Sequence, residues 1–423
     1  MKYRINNQVV LSQIPLGPLA AHIGSFADFI SAQGYALYSI HRQVRLAADF
    51  SQWLKLKGIE LHRISSEHPR QYLRDRARQV QPCLGDAAAL SHLIDFLRGE
   101  GVIPAEKVSA RPLSPAERCT QAYEQYLREA RALAEATIVN YVPFISHFLK
   151  DCFGDGPVTL SGLSARDVVS FVQRQAQRLH RKRAKLMTSA LRSFLKYAHY
   201  RGDMLLDLAA AVPVVPNWSM PSIPRAISPD QAKQLLDSID QHTAVGRRDY
   251  AILLLLARLG LRSSEVAFLE LDAIDWNTGT FNVRTKSGLR HEFPLPFAVG
   301  KAIAAYLRNG RPVSASRRVF LRAKAPIRGF RGASAVGSIV RHALKRAGIK
   351  APTYGTHQFR HGLATEMLRQ GASLGEIGDV LGHRHPQTTM IYTKVDLEAL
   401  RTLALPWPGG ALSTRFGKPL PSI

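Results

Sequence analysis

The chain has 423 residues, which is enough for two or three domains with a buried core. Apolar residues make up 46% of it, a proportion typical of globular rather than disordered proteins. There are 57 Lys and Arg against 32 Asp and Glu, so the formal net charge is +25. Such a charge favours contact with a polyanion such as DNA or RNA, and a generally basic solvated surface is the alternative.

The cysteines and apolar runs restrict the location and rule out some site types. Cys83, Cys119 and Cys152 are widely spaced and form no metal-binding pattern, so we expect no zinc site and a reducing cytoplasm. The polar N-terminus lacks the apolar core of a signal peptide. The longest apolar run, 251–257, is too short to cross a bilayer, so we expect a cytoplasmic protein with no membrane partner.

The N-terminal half contains an internal similarity at a constant offset of 98 residues. Matched pairs are Ser39-Ile40 with Thr137-Ile138, Val44 with Val142, Phe50 with Phe148, Ser66 with Ser164, and Leu93, Phe96 and Leu97 with Leu191, Phe194 and Leu195. The register predicts two tandem copies of a four-helix module, and chance pairing of common apolar residues is the alternative. The hydroxyl residues at 39, 66, 137 and 164 are candidate helix N-caps.

A proline-rich stretch separates this half from the rest of the chain. Four prolines within twelve residues disfavour a helix and indicate an extended linker: Pro213, Pro216, Pro221 and Pro224. A weaker break lies near 111–115. We predict a first helical module over 1–111, a second over 112–212, a linker over 213–225, a C-terminal domain over 226–405 and a tail over 406–423.

The C-terminal domain is predicted to be mostly α-helical with a small antiparallel sheet. Ser228-Pro229-Asp230 has the residues of a helix start, with a capping serine and proline at the first helical position. A long helix is expected from about 248 to 258, a β-hairpin over 280–295, and helices again from 336 onward.

Three short motifs in this domain offer groups that bind and cleave a phosphodiester. They are Gly260-Leu261-Arg262-Ser263-Ser264-Glu265, His357-Gln358-Phe359-Arg360-His361, and Leu381-Gly382-His383 with Tyr392 nine residues later. Arginine presents a planar fork of donors to phosphate oxygens, histidine moves protons near neutral pH, and tyrosine can be a covalent nucleophile. The absence of clustered carboxylates disfavours a Mg²⁺-dependent nuclease.

The ordered set G-L-R-x-x-E, H-x-x-R, L-G-H and I-Y-T resembles the tyrosine recombinase (phage integrase) family, which includes the Xer recombinases and many transposon integrases. The resemblance covers about 226–405, with a looser match over 137–201. It implies tandem SAM-like helical modules followed by a catalytic domain. It also implies an enzyme that cuts and rejoins DNA strands without a metal, ATP or another cofactor.

The resemblance assigns a role to each matching residue. Arg262 and Arg360 would grip the scissile phosphate, with Glu265 supporting Arg262. His357 would assist proton transfer, His383 would hydrogen-bond the phosphate, and Tyr392 would be the nucleophile. Lys286 aligns with the hairpin lysine that protonates the leaving 5′-hydroxyl. Thr285 and Ser287 flank Lys286 where the family usually has glycines, so Arg290 and Lys324 are possible substitutes.

The resemblance also implies a mechanism and partners. Two transesterifications would pass through a 3′-phosphotyrosyl bond, with four protomers acting on two DNA duplexes. We therefore expect double-stranded DNA as the partner, a homotetramer on two sites and a nucleoid-associated location. Related recombinases or accessory DNA-binding proteins are further candidate partners. The size of the N-terminal half favours a mobile element over chromosome-dimer resolution.

A basic stretch in the second module is a candidate DNA-binding surface. Between 168 and 202 there are nine Lys or Arg and no Asp or Glu. The candidate DNA contacts are Arg174, Arg178, Arg181, Lys182, Arg183 and Lys185. The spacing predicts that residues 174, 178, 181 and 185 share one helical face. A basic helix exposed only to solvent is the alternative.

Several alternatives stay open at the level of sequence. Arg262 could form a simple surface ion pair, Tyr392 could be a core residue, and His357 with His361 could be a metal pair, although Gln358 stands where a zinc protease has its Glu. A type IB topoisomerase or a non-catalytic architectural protein could carry the same set. The first module could hold additional DNA or pack between protomers. A terminal helix with Leu397, Leu400 and Leu403 could dock in cis or in trans.

Overall fold

The computed structural model of the protein describes residues 3–5, 9–11, 14–105, 112–215, 225–285, 288, 290–383 and 385–395. It divides into two compact units, one formed by 106–221 and the other by 1–105 together with 222–423. Each unit is described separately. Within the described ranges, the helices are all too short or too polar to cross a membrane. The predicted domain boundaries stay predictions.

The N-terminal part of the larger unit begins with a strand pair that was not predicted. β1 (Tyr3–Ile5) pairs antiparallel with β2 (Val9–Leu11). Four helices follow: α1 (Ile23–Ala32), α2 (Leu37–Leu56), α3 (Glu67–Arg76) and α4 (Asp86–Gly99). Their apolar faces share one core, in which Phe26, Phe50 and Leu97 are fully buried.

The smaller unit is a second bundle of four helices. They are α5 (Pro115–Glu129), α6 (Glu135–Phe153), α7 (Ala165–Arg178) and α8 (Arg181–Tyr200). The first residue of α6 lies 98 positions after the first residue of α2, and the first residue of α7 lies 98 positions after that of α3. Phe148 and Phe194 are fully buried in its core. Their counterparts in the first bundle are Phe50, which is also fully buried, and Phe96, which is 7% exposed. The predicted pair of four-helix arrangements is therefore present.

The predicted N-caps are partly wrong. Ser39 and Thr137 lie inside the first turns of α2 and α6, whose N-caps are Ala36 and Ala134. Ser66 occupies the N-cap of α3, but its hydroxyl accepts a hydrogen bond from Arg98 and makes no capping bond to the helix. Ser164 forms a full capping box with α7. The first two predictions failed because these helices begin three residues earlier than predicted, at positions that tertiary packing rather than a capping side chain selects.

The C-terminal part of the larger unit is helical around a three-stranded antiparallel sheet. Its helices are α9 (Pro229–Asp237), α10 (Ala244–Leu259), α11 (Ser263–Ala267), α12 (Phe297–Asn309), α13 (Ala333–Arg346), α14 (His357–Arg369), α15 (Leu374–Leu381) and α16 (Pro386–Thr389), and a 3₁₀ segment spans Met390–Val395. The strands are β3 (Ile274–Asp275), β4 (Thr280–Arg284) and β5 (Arg290–Pro294), in the order β3-β4-β5. The mostly α-helical class with a small antiparallel sheet is confirmed.

The buried helix α10 is central to this part. Residues 251–256 are all nearly inaccessible to solvent, which explains why the sequence there is a continuous apolar run. The predicted start of α9 is confirmed, since Ser228 forms a capping box and Pro229 opens the helix. The predicted hairpin is present, with Phe281 opposite Phe293.

The first bundle contacts the C-terminal part within the larger unit. The backbone amide of Ile327 donates a hydrogen bond of 2.9 Å to the carbonyl of Gln33. Gly34, at φ +78°, lies so close that an added Cβ would be 2.5 Å from Cγ1 of Ile327. Residue 34 therefore needs glycine for both its backbone conformation and its close contact.

Candidate active site

The three motifs meet at the ends of four helices. α10 ends at Gly260 in the left-handed conformation, and the chain then enters α11. α15 ends the same way at Gly382. A Cβ on Gly260 would lie 3.0 Å from Leu381 and 3.6 Å from the Cα of Arg360, so this glycine permits the three motifs to approach closely.

Arg262 and Glu265 form the first part of the site. A guanidinium nitrogen of Arg262 donates to Glu265 at 2.8 Å, and the backbone amide of Arg262 donates to the same carboxylate at 2.7 Å. The Glu265 side chain is 2% exposed and that of Arg262 is 24% exposed. Another nitrogen of Arg262 donates to the carbonyl of Gly382 at 3.3 Å. The carboxylate therefore fixes the guanidinium while leaving part of it accessible.

Arg360 lies deeper than Arg262. Its guanidinium donates to the carbonyl of Gly260 at 2.9 Å and to the carbonyl of Leu381. The residue is 5% exposed. Burial, and after it the positive charge of Arg262, lowers the pKa of Arg360 to about 10. That electrostatic coupling indicates two guanidinium groups close to one another, which favours an anion between or beside them.

The two predicted histidines have different surroundings. His357 is exposed at the first turn of α14. His383 follows α15, and its Nδ1 lies 2.7 Å from the hydroxyl of Thr389. Burial and then the charges of Arg360 and Arg262 lower the pKa of His383 to about 4, so its imidazole is neutral near pH 7. When the hydroxyl of Thr389 donates to Nδ1, Nε2 carries the hydrogen and can donate to an anion.

Tyr392 lies at the centre of the group, in the 3₁₀ segment after α16. It is 1% exposed and packs against Ile377 and Leu381. Its hydroxyl is 3.1 Å from Nδ1 of His361, and its ring lies parallel to that of His383 at 6.5 Å between centroids. Burial raises the pKa of the Tyr392 hydroxyl, and the charges of Arg360 and Arg262 oppose that rise.

Five of the six sequence-predicted catalytic residues are described, namely Arg262, His357, Arg360, His383 and Tyr392. Four of these interact with one another through hydrogen bonds or charge, and His357 joins through the ring of His361, at 6.3 Å between centroids. Lys286 lies outside the described residues. The possible substitutes Arg290 and Lys324 are both exposed.

His361 is the residue whose contact the sequence did not reveal. In the sequence it stands four residues after His357 on the same helical face, a spacing that indicates only half of a metal pair. The structure instead directs its Nδ1 to Tyr392. Among the described residues, no group of three or more His, Cys, Asp or Glu side chains has a metal-binding arrangement. Its spacing of four residues from His357 was the available signal, since positions i and i+4 lie on the same face of a helix.

The candidate DNA-binding residues do not lie on one helix, so the predicted single helical face is wrong. α7 ends at Arg178 and α8 begins at Arg181, because residues 179 and 180 leave the helical conformation. All six basic side chains are exposed: Arg174 and Arg178 on α7, and Arg181, Lys182, Arg183 and Lys185 in the first turns of α8. Arg174 also pairs with Asp151. The basic surface thus spans two consecutive helices.

The chain belongs to the tyrosine recombinase (phage integrase) family and is a DNA strand-cleaving recombinase by class. Residues 225–398 match the model of the phage integrase family, and residues 120–202 match its N-terminal SAM-like domain. The fold class and the arrangement of arginines, histidines and tyrosine agree with that membership.

Relatives match from about two thirds to nearly all of this chain. A putative integrase/recombinase of Sinorhizobium fredii, y4rA, is 60% identical, covering 97% of this chain and 100% of the relative. The tyrosine recombinase XerC of Anoxybacillus flavithermus is 31% identical, covering 66% of this chain and 94% of XerC. The structure of the XerH site-specific recombinase bound to a palindromic difH substrate, a post-cleavage complex, aligns with a TM-score of 0.53 at 17% identity, covering 73% of this chain and 93% of that one. That last likeness supports the fold alone.

Proposed function

We propose that this protein is a site-specific recombinase that cleaves and rejoins DNA through a 3′-phosphotyrosyl intermediate on Tyr392. The observation that carries the proposal is the convergence of Arg262, Arg360 and His383 on the tyrosine. Both guanidinium charges act on its hydroxyl, and the His383 ring lies parallel to its ring. These groups match the charge that develops on a phosphate under nucleophilic attack.

The reaction has two balanced steps. The oxygen of Tyr392 attacks the phosphorus and its hydrogen passes to a base, for which His357 is the candidate. The bond to the 5′-oxygen breaks, and that oxygen takes a proton from a general acid, for which Lys286 is the candidate. Arg262, Arg360 and His383 hold the two non-bridging oxygens. In the second step a 5′-hydroxyl from another strand attacks the phosphotyrosyl bond and gives its proton to the deprotonated acid, and the leaving tyrosine oxygen takes its proton back from the base. The bond energy is conserved, so neither step needs ATP.

The buried position of Tyr392 adds a requirement to this mechanism. The tyrosine side chain is 1% exposed, and two N–H groups of Arg360 bond to backbone carbonyls while others remain for a phosphate. A phosphate must therefore reach this site by displacing the residues that cover Tyr392. DNA binding can supply that displacement, because charge-assisted hydrogen bonds from two arginines to the phosphate favour the displaced state.

Double-stranded DNA is the proposed partner. The basic surface of α7 and α8 is the proposed DNA-binding surface. Six exposed cations on these helices fit a phosphate backbone. Solved relatives include a lambda integrase dimer on a core site and the Tn1549 transposon integrase with a circular intermediate DNA. By analogy we propose a protomer that assembles with others, up to a tetramer on two duplexes, and a role in a mobile element.

A suicide DNA substrate tests the nucleophile. The unaltered chain should form a covalent adduct with DNA, and Tyr392→Phe should bind the DNA normally and form none. Tyr354→Phe is the matched control, because that side chain is 53% exposed and outside the site. An adduct in Tyr392→Phe would refute the assignment. Adducts scattered over many sequences, rather than at one, would favour a topoisomerase.

A further inference from the structure

His383 is held at both its backbone and its ring, by two residues that the motifs do not name. The backbone amide of His383 donates a hydrogen bond of 2.8 Å to the carbonyl of Gly378 in α15. Nδ1 of its ring lies 2.7 Å from the hydroxyl oxygen of Thr389, the last residue of α16. These contacts fix the position of the ring and leave Nε2 as the nitrogen that can face a phosphate.

The hydroxyl of Thr389 lies in a shielded position. The residue is 1% exposed, whereas Thr388 beside it on the same helix is exposed. A buried hydroxyl is costly unless it is hydrogen-bonded, so the bond to His383 matters to both groups. Gly378 leaves room for it, because a Cβ at residue 378 would lie 3.2 Å from the hydroxyl oxygen. The packing therefore brings one hydroxyl group to one nitrogen of the imidazole.

We infer that Thr389 is a positioning residue, which donates its hydroxyl hydrogen to Nδ1 of His383 and so fixes the tautomer that carries hydrogen on Nε2. The inference rests on the proposed function, in which His383 binds a non-bridging oxygen of the scissile phosphate. Burial, and then the charges of Arg360 and Arg262, lowers the pKa of His383 to about 4, so the imidazole is neutral near pH 7. A neutral imidazole has a hydrogen on only one of its nitrogens.

The two directions of this hydrogen bond have opposite consequences. If Thr389 donates, Nδ1 accepts, and the N–H at Nε2 can donate to the phosphate. If Nδ1 donates instead, Nε2 presents a lone pair to a negatively charged oxygen and cannot bind it. A carbonyl or carboxylate, the common partner of histidine Nδ1, only accepts and would select this second tautomer. A hydroxyl can donate, which is what phosphate binding by His383 requires.

Single-turnover cleavage of the suicide substrate tests this role. Thr389→Val keeps the shape of the side chain and removes the donor. It should slow adduct formation by about ten-fold or more, towards the roughly hundred-fold that the loss of one transition-state donor costs. Thr389→Ser keeps the hydroxyl and should restore most of the rate, with DNA binding unchanged in both variants. Thr388→Val, which changes the exposed threonine of the same helix, is the matched control.

Two further measurements separate the positioning of His383 from general support of the fold. In a His383→Ala background, Thr389→Val should cause no further slowing, because its effect acts through the imidazole. Solid-state nitrogen NMR with isotopically labelled histidine can locate the hydrogen in the uncut complex of Tyr392→Phe with DNA. His383 should carry it on Nε2 there, and the variant that also has Thr389→Val should gain the Nδ1 form. The signal is identified by its loss in His383→Ala.

The outcomes are distinguishable. No adduct from the unaltered chain would overturn the proposed function and this inference with it. If the unaltered chain forms the adduct, a normal rate in Thr389→Val would overturn the role of Thr389 alone. The same holds for further slowing of His383→Ala by Thr389→Val, or for a hydrogen on Nδ1 of His383 in the DNA complex. A rate in Thr389→Ser as low as that in Thr389→Val would also contradict it, because only the serine keeps the donor.

Discussion

Glu265 is the residue whose removal should most clearly reveal how the site is held together. Its carboxylate is 2% exposed and accepts hydrogen bonds from the side chain and backbone of Arg262 at 2.8 and 2.7 Å. Removing one partner of a buried ion pair costs about 3–5 kcal/mol, since the other charge stays desolvated. Arg262 is 24% exposed, so the lower end, about 3 kcal/mol, applies to Glu265→Ala.

Hydrogen exchange can measure this loss locally. A change of about 3 kcal/mol corresponds to exchange roughly a hundred-fold faster, and the peptides to follow are those covering 248–270. The matched control is Glu270→Ala, which breaks an ion pair of 3.1 Å with Arg318 whose Glu270 side chain is 51% exposed. An exposed pair contributes about 0–1 kcal/mol, so exchange should change by less than about five-fold.

The comparison between the two variants decides the outcome. If Glu265→Ala and Glu270→Ala accelerated exchange by the same small factor, the carboxylate at 265 would not be holding a desolvated charge. Cleavage activity should fall along with stability in Glu265→Ala, because Arg262 would lose its orientation toward the phosphate.

Three further predictions concern pH, DNA and backbone. His383 takes up a proton near pH 6.5 in the unfolded chain and near pH 4 in the folded chain. The free energy of unfolding should therefore be unaffected by this group above about pH 6.5 and should fall by up to about 3 kcal/mol towards pH 4, less where solvent reaches the ring. Urea unfolding at a series of pH values measures this change. Replacing Arg178, Arg181 and Lys185 with Ala should weaken DNA binding and reduce its logarithmic salt slope by about three, measured by titration. Gly260→Ala should cost about 1–2 kcal/mol in thermal unfolding and slow cleavage, because φ is +59° and Leu381 is 3.0 Å from the added carbon.

Matched variants check each of these. His383→Gln should flatten the pH dependence of stability, and an unchanged slope would contradict the assignment to that imidazole. Arg128→Ala should leave DNA binding intact, since Glu124 and Glu135 already neutralise the charge of Arg128. A loss of DNA affinity in Arg128→Ala equal to that of the triple variant would contradict the assignment of the interface to α7 and α8. Gly279 has a similar left-handed backbone conformation, at φ +66°, but open space around it. If the close contacts at Gly260 are what matters, Gly279→Ala should slow cleavage much less than Gly260→Ala.

Local features of the fold were predictable because their causes lie within a few residues of sequence. The capping boxes at Ser164 and Ser228 use a side chain three positions away, and helix α10 follows from its apolar run. The repeat was visible because apolar positions of two similar bundles recur at one offset. Ser39 and Thr137 failed as N-caps because a hydroxyl alone does not fix where a helix begins.

Contacts between distant positions depended on the tertiary structure. Two helices, rather than one, carry the basic surface, because the backbone leaves the helix between Arg178 and Arg181. The strand pair β1–β2 and the contact of Gly34 with Ile327 also had no local signal.

The sequence alone determined which residue types this protein can bring to a phosphate, since the motifs name two arginines, the histidines and a tyrosine in order. Only the tertiary structure decided their partners: Arg360 donates to a carbonyl 100 positions away, and His361 reaches the hydroxyl of Tyr392 across 31. A motif specifies chemistry through side-chain identity. Which atoms meet depends on how buried helices pack, and packing is set by the whole core.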